Sequence, residues 1–282
     1  MKLYPFGKFI LDVPDDHGIL PIHQNAVLYD RAFGFILEAL GEACPDGVII
    51  DIGANVGDTA AIAVTYVNNP VLSIEGSEAF APYFMSNQRH FGTQVSFIQK
   101  FVLPTALNNL KFSYRSELGT GELYRSEGET LDFDRFITTQ EILNIAKKDF
   151  PDVCLIKSDT DGMDGFIISD FLGKINCPLF FECDTLRQLS GTENPWPSLF
   201  FELSKKAYSV IVFDNYGLPV IIDDKDPCSV LSDLSGYIHM QRGVHPIRMH
   251  YLDVWAFPPE WKPTFDKIAG SLRSRFLKPY CF

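Results

Sequence analysis

Acidic side chains close or follow several of the apolar runs in this chain. Asp51 ends VIID (48 to 51), Asp159 and Asp161 follow VCLIK (153 to 157), and Glu182 and Asp184 end and follow PLFFE (178 to 182). Carboxylates gathered at one place can hold a divalent cation such as Mg2+ through hard oxygen ligands, with Asp159, Glu182 and Asp184 as the candidate set. Alternatively, one of them, its pKa raised by its neighbours, can take a proton, and Asp159 and Asp161 are the candidates for that. The structural alternative is that they cap helices or pair with Lys157 and Arg187. The histidines offer a rival base: His239, His245 and His250 lie within HMQRGVHPIRMH, and His245 is the candidate among them. Their spacing is no helical metal motif, and Pro246 interrupts it.

A second chemical feature lies at VIIDIGANVGDTA (48 to 60), where an apolar run ends at an acid and a glycine-bracketed loop leads into a helix-forming stretch. Gly53 and Gly57 allow a sharp turn and a close approach of backbone to a ligand, and the helix after the loop presents free N–H groups. The dinucleotide pattern G-x-G-x-x-G is not met, which weakens a nicotinamide-dependent oxidoreductase, and the Gly-Lys-Ser/Thr ending of a nucleotide phosphate loop is missing. Asp51 and Asp58 at the two ends of the loop would repel a diphosphate, so a ligand carrying positive charge fits better. Glu75, which ends VLSIE, stands where an acid can accept hydrogen bonds from both hydroxyls of a ribose. A ribose together with a cationic group points to S-adenosylmethionine. The expected cofactor residues are Asp51, Gly53, Ala54, Asn55, Gly57, Asp58, Glu75, Gly76 and Ser77.

These residues must be positioned by regular elements. VIID, VLSIE (71 to 75), VSFI (95 to 98), VCLIK and PLFFE are apolar on both faces, the signature of a buried parallel sheet. Helical stretches lie between most of them: Asp58 to Val67, Ser77 to about Asn87, and TTQEILNIAKK, where Thr138 and Glu141 have capping-box spacing. Phe33, Ile36, Leu37 and Leu40 predict an earlier helix stopped by Gly41 and Pro45. After residue 205 the runs in YSVIVFDNYGLPVII and HYLDVWAF (250 to 257) predict antiparallel strands. The fold class expected is therefore α/β, a Rossmann-like doubly wound sheet that is mostly parallel and finished by antiparallel strands. RSELGTGELYRSEGE, polar and glycine-rich, reads as an exposed loop or lid. Trp196, between two prolines, is a candidate stacking wall for a planar or sugar substrate.

The 282 residues, 46 % of them hydrophobic, can fill a sizeable core. A net charge of -12 argues against nucleic acid and anionic membrane surfaces as partners. No run approaches the roughly 20 apolar residues needed to span a bilayer, and the first residues read as neither signal peptide nor anchor. Six cysteines without a C-x-x-C pair read as reduced structural thiols, so a cytoplasmic protein is expected.

The motifs also resemble a known family. VIIDIGANVGDTA looks like the first motif of class I S-adenosylmethionine-dependent methyltransferases, and specifically of the FkbM family. VLSIEGSEAFAPYFMSN resembles that family's ribose-binding strand and the helix ending in Asn87, and GETLDFDRFI its Thr-Leu-Asp segment at Thr130, Leu131 and Asp132. CLIKSDTDGMDGFII resembles its Lys-Ile-Asp-Val-Glu-Gly-Ala-Glu stretch, with Lys157, Asp159, Asp161, Gly162 and Asp164 on matching positions. Ser158 departs from it, and Asp161 and Asp164 replace glutamates. The resemblance covers about residues 46 to 185 and implies a seven-stranded sheet whose last strand is antiparallel. It also implies an O-methyltransferase acting on sugar or polyketide hydroxyls. A single domain over 1–282 is expected, with an N-terminal extension (1–45), a cofactor core (46–185) and a substrate-side portion (186–282). The partner expected is a small hydroxylated acceptor; the alternative is a non-catalytic cofactor-binding or assembly module. The oligomeric state stays open, a homodimer being one option.

Overall fold

A computed structural model describes residues 2–19, 31–117, 119–187, 189–241 and 249–277. The chain opens with an antiparallel ribbon, β1 (Lys2–Phe6) and β2 (Phe9–Val13), succeeded by α1 (Arg31–Ala43). Next come β3 (Gly47–Ile52), α2 (Asp58–Tyr66), β4 (Val71–Ile74), α3 (Ala81–Gln88) and β5 (Val95–Ile98). Between β6 (Phe101–Leu103) and its parallel partner lies a hairpin, β7 (Phe112–Glu117) and β8 (Thr120–Arg125); that partner is β9 (Phe136–Thr138). The second half runs α4 (Thr139–Asp149), β10 (Asp152–Ser158), α5 (Asp164–Phe171), β11 (Leu179–Cys183) and α6 (Trp196–Lys205). It ends with β12 (Ser209–Asp214), β13 (Pro219–Asp223), α7 (Pro227–Met240), β14 (Leu252–Phe257) and α8 (Lys262–Leu272).

Among the described residues the main sheet has eight strands in the order β13-β12-β14-β11-β10-β3-β4-β5. The five from β11 to β5 are parallel, and β14, β12 and β13 complete the sheet with antiparallel pairs. The expected α/β class and antiparallel finish are present. The count of seven is exceeded because β13 folds back on β12 and adds an edge strand.

Both faces of the sheet are covered, which explains why its strands read as continuous apolar runs. Along β3, Val48, Ile50 and Ile52 enter one core and Ile49 the other. Along β14, Val254 and Ala256 enter the first while Trp255 and Phe257 enter the second. The helix expected around Phe33, Ile36, Leu37 and Leu40 buries all four of these side chains in the second core. Thr138 and Glu141 form the expected capping box at the start of α4.

Three expectations change. The stretch read as an exposed loop is the β7–β8 hairpin, whose inner face carries Phe112 and Leu123 into the core. Trp196 is buried between Phe181 and Phe200 and is no substrate wall. The N-terminal segment forms β1 and β2 where no strand was expected.

That ribbon is fastened to the loop between β3 and α2 by a side chain of α3. Asn87, fully buried on α3, accepts the Asp12 N–H at 2.8 Å and donates to the carbonyls of Asp12 and Val56, each at 2.9 Å. Asn87→Leu leaves those three backbone groups without partners. It is expected to lower unfolding stability by about 3 kcal/mol in chemical denaturation.

Candidate functional site

From β3 the chain moves outward through β4 and β5, then returns to place β10 and β11 on the other side of β3. Such a reversal leaves a crevice beyond the carboxyl ends of the two central strands, the place where open α/β sheets bind ligands. Asp51 and Lys157 are register partners on those strands. Both are buried, with Lys157 Nζ 3.1 Å from Asp51 and 3.5 Å from Asp159, and Ser73 Oγ donates to Asp51 at 3.3 Å. Burial works to lower the Lys157 pKa, but Asp51, Asp159 and Asp58 outweigh it and hold the ammonium charged. Lys157 was expected to pair with Asp159 or Asp161; its closer partner is Asp51.

The loop after β3 is shaped by left-handed residues: Gly53 at φ 77°, Asn55 at 48° and Gly57 at 93°. Gly53 is obligatory on a second count, because a Cβ there would fall on the Asp159 carbonyl oxygen. The loop is tied to the end of β4: Gly53 N–H and Ala54 N–H donate to the Ile74 carbonyl, and Asn55 N–H donates to Glu75 Oε2 at 2.9 Å. Glu75 Oε1 accepts from Ser77 N–H at 2.7 Å. Burial pushes Glu75 up to about 7, against the pull of these two N–H donors. Each oxygen keeps a lone pair for a further donor.

Two adjoining cavities open here, both bordered by Gly53, Asn55, Asp159 and Asp161. The first, about 510 Å3 including its mouth, has apolar walls from Ile74, Phe101, Met163 and Ile167, with Glu75 and Gly76 at its edge. The second, about 890 Å3 on the same measure, is polar and carries Asp58, Lys157, Glu182, Asp184 and Arg187. Sizes of this order suit a ligand of several hundred daltons.

Of the expected cofactor residues, Gly53, Asn55, Asp58, Glu75 and Gly76 line the cavities. Asp51, Ala54, Gly57 and Ser77 line neither. Asp51 is taken by Lys157, Ala54 is buried, Gly57 caps α2, and Ser77 bonds Tyr114 of the hairpin. Asp159 and Asp161 stand in both cavities. Asp161 is raised by burial and by Asp159 and contacts Arg187, which pulls the other way. His245 lies outside the described residues; His239 and His250 line neither cavity.

The metal set does not assemble. Asp159, Glu182 and Asp184 border the second cavity, but no three His, Cys, Asp or Glu side chains among the described residues are arranged to hold a metal ion. Asp184 is turned onto its own loop, accepting from the N–H groups of Leu186 and Arg187 and pairing with Arg187 Nε. Asp164, at a position matched to a family glutamate, is also occupied. Its Oδ1 accepts from Ser158 Oγ at 2.6 Å and from Thr160 N–H and Oγ1, and burial raises it to about 6.

Sequence reasoning missed His17. It lies in the second cavity, with Nε2 3.0 Å from Asn55 Oδ1. The link spans 38 residues and has no local pattern that could announce it.

No family model and no curated protein sequence matches the chain. Among solved structures it is similar to an O-methyltransferase from Bacillus cereus in complex with SAH, at 11 % identity and TM-score 0.41, over 87 % of this chain and 92 % of that one. An rRNA methylase from Streptococcus thermophilus aligns at 7 % identity and TM-score 0.43, over 81 % and 96 % of the two chains. Precorrin-6y C5,15-methyltransferase from Geobacter metallireducens aligns at 12 % and 0.36, over 75 % and 79 %. Likenesses this distant carry no weight for function, which rests on the geometry of the crevice. No helix among the described residues is long and apolar enough to cross a membrane.

Removing one member of the central ion pair strands the other. Lys157→Met is expected to cost about 3–5 kcal/mol in chemical denaturation, and the double variant Asp51→Leu/Lys157→Met to recover most of it.

Proposed function

We propose that the chain is an S-adenosylmethionine-dependent O-methyltransferase acting on a hydroxyl of a small molecule. The observation that carries this reading is Glu75, whose two oxygens are aligned by backbone N–H groups at the edge of an apolar cavity that adjoins an acid-rich one. In this reading Ile74, Phe101 and Met163 flank the adenine, Glu75 takes the ribose hydroxyls, and Gly53, Asn55 and Asp58 border the methionine end. The acids of the second cavity suit an ammonium and a sulfonium.

When bound, the cofactor supplies a methyl group on a positively charged sulfur. The chain's own task is to align the acceptor, exclude water and accept the hydroxyl proton. Asp161 and Asp159 are the groups in place for the proton. Arg187 orients Asp161, and Lys157 holds Asp159. The polar second cavity and the FkbM resemblance together favour a sugar or glycosylated metabolite as acceptor. A non-catalytic binding module fits less well: Asp164 is consumed by structural bonds, yet Asp159 and Asp161 both remain on the cavity wall.

The test is ligand-linked stability. S-adenosylhomocysteine at a hundredfold excess over its Kd should stabilise the wild type by about 2.7 kcal/mol. Glu75→Ala should keep its circular dichroism and show no such gain in a thermal melt. Full stabilisation of Glu75→Ala would contradict the assignment.

A further inference from the structure

Two segments remote in sequence meet above the second cavity, and both are held by Asn55. From below, the β1–β2 ribbon is anchored through Asn87 and through Lys8, whose Nζ donates to the Val64 carbonyl at 2.9 Å. The chain then turns at Pro14 and delivers His17, Gly18 and Ile19 to the cavity. From above, the β7–β8 hairpin is anchored through Tyr114 and Ser77, and its tip brings Gly119 and Thr120 to the same cavity. Asn55 joins them, with Nδ2 donating to the Gly119 carbonyl at 2.8 Å and Oδ1 accepting from His17 Nε2 at 3.0 Å. The tip packs so closely that a Cβ at Gly119 would lie 2.9 Å from the Gly18 nitrogen and 3.1 Å from the His17 ring.

The bonding fixes the imidazole's state. Nδ1 accepts the Ile19 N–H at 3.2 Å, so in the neutral ring the proton sits on Nε2, where it is donated to Asn55. A second proton could enter only at Nδ1, facing the Ile19 N–H. The same Asn55 donates its own N–H to Glu75, so the junction is one residue away from the proposed ribose site.

We propose that His17, Asn55 and Gly119 form a latch that closes the N-terminal segment and the hairpin tip over the cofactor, and that cofactor release requires the His17–Asn55 bond to break. His17 is a positioning residue in this account: it acts through Asn55. The proposal rests on the methyltransferase reading, because the retained ligand is the adenosyl cofactor.

The latch has a pH sense. Burial lowers the His17 pKa from 6.5, opposed by the Asn55 bond and by Asp16. Phe80 packs on the ring without charge, Asp58, Lys157, Asp159, Asp161, Glu182, Asp184 and Arg187 share the cavity, and Glu75 accepts the Asn55 N–H. The closed form therefore binds fewer protons than the open one. Closure is at full strength above the open-state pKa of His17 and weakens as pH falls below it. Because Glu75 also titrates near neutrality, the informative quantity is the difference between wild type and His17 variants.

The experiment is stopped-flow dissociation of S-adenosylhomocysteine from the full chain at about pH 7.5 and about pH 5.5, on either side of the ordinary histidine value. At the higher pH, His17→Ala should release the ligand about five- to tenfold faster than wild type, the equivalent of one lost hydrogen bond. Acidification should speed release from wild type more than from His17→Ala. His17→Gln, which keeps a donor for Asn55, should release slowly with the acid response of the alanine variant. Circular dichroism of the ligand-free variants checks that both are folded. Wild-type rates and wild-type pH response in both folded variants would overturn the latch and leave the cofactor reading intact. Failure of the wild type to bind S-adenosylhomocysteine would remove the cofactor reading and the latch with it.

Discussion

The buried ion pair between Asp51 and Lys157 joins the two central strands at the point where the chain reverses its direction of travel across the sheet. A charge on either strand alone, with side chains almost wholly shut off from water, would be intolerable; together they lock β3 against β10 in a single register. The shape of the crevice depends on that register. It sets Gly53 against the Asp159 carbonyl, where no Cβ fits, and the chain leaves the strand through a left-handed turn. The turn delivers the Asn55 N–H to Glu75 and the Asn55 side chain to the two segments above it.

The electrostatics of the crevice arise from the same arrangement. Lys157 is committed to Asp51 and Asp159, and Arg187 to Asp161 and Asp184, so the two cations of the second cavity are already partnered within the protein. Asp58 adds further negative charge to the same cavity, whereas burial and acidic neighbours raise Glu182 well above the usual carboxylate range and favour its neutral form. A chain of net charge -12 that concentrates acids around one opening favours a ligand that brings positive charge and repels a polyphosphate.

Much of this was legible in the sequence, for a physical reason. Strands covered on both faces must be apolar at every position, so β3, β4, β10 and β11 stand out as runs, and the acids that close them stand out equally. Gly53, Asp58 and Glu75 were visible because a tight turn and a strand-end acid have fixed local chemistry. The β7–β8 hairpin was hidden because only one of its faces is apolar: Phe112, Tyr114 and Leu123 alternate with Ser113, Arg115, Glu122 and Tyr124, and the paired Arg115 and Glu122 read as solvated loop. β1 was hidden by Pro5, which argues against a strand except in a ribbon with a free edge. The failed metal set shows the limit of reading acids by sequence position. Asp184 lies at the correct strand end, but its carboxylate is captured by the N–H groups two and three residues on. His17 and its bond to Asn55 exist only because two separately anchored segments converge, which no local pattern records.

The central claim is that the crevice beside the Asp51–Lys157 pair is built for a ribose bearing a cationic tail. Calorimetric titration of the full chain with S-adenosylmethionine, S-adenosylhomocysteine and NAD in parallel tests it most directly. The account predicts micromolar binding of the two adenosyl ligands and none of NAD, whose diphosphate would meet Asp58 and Asp159. Binding of NAD in preference to them, or of none of the three by a folded sample, would contradict it.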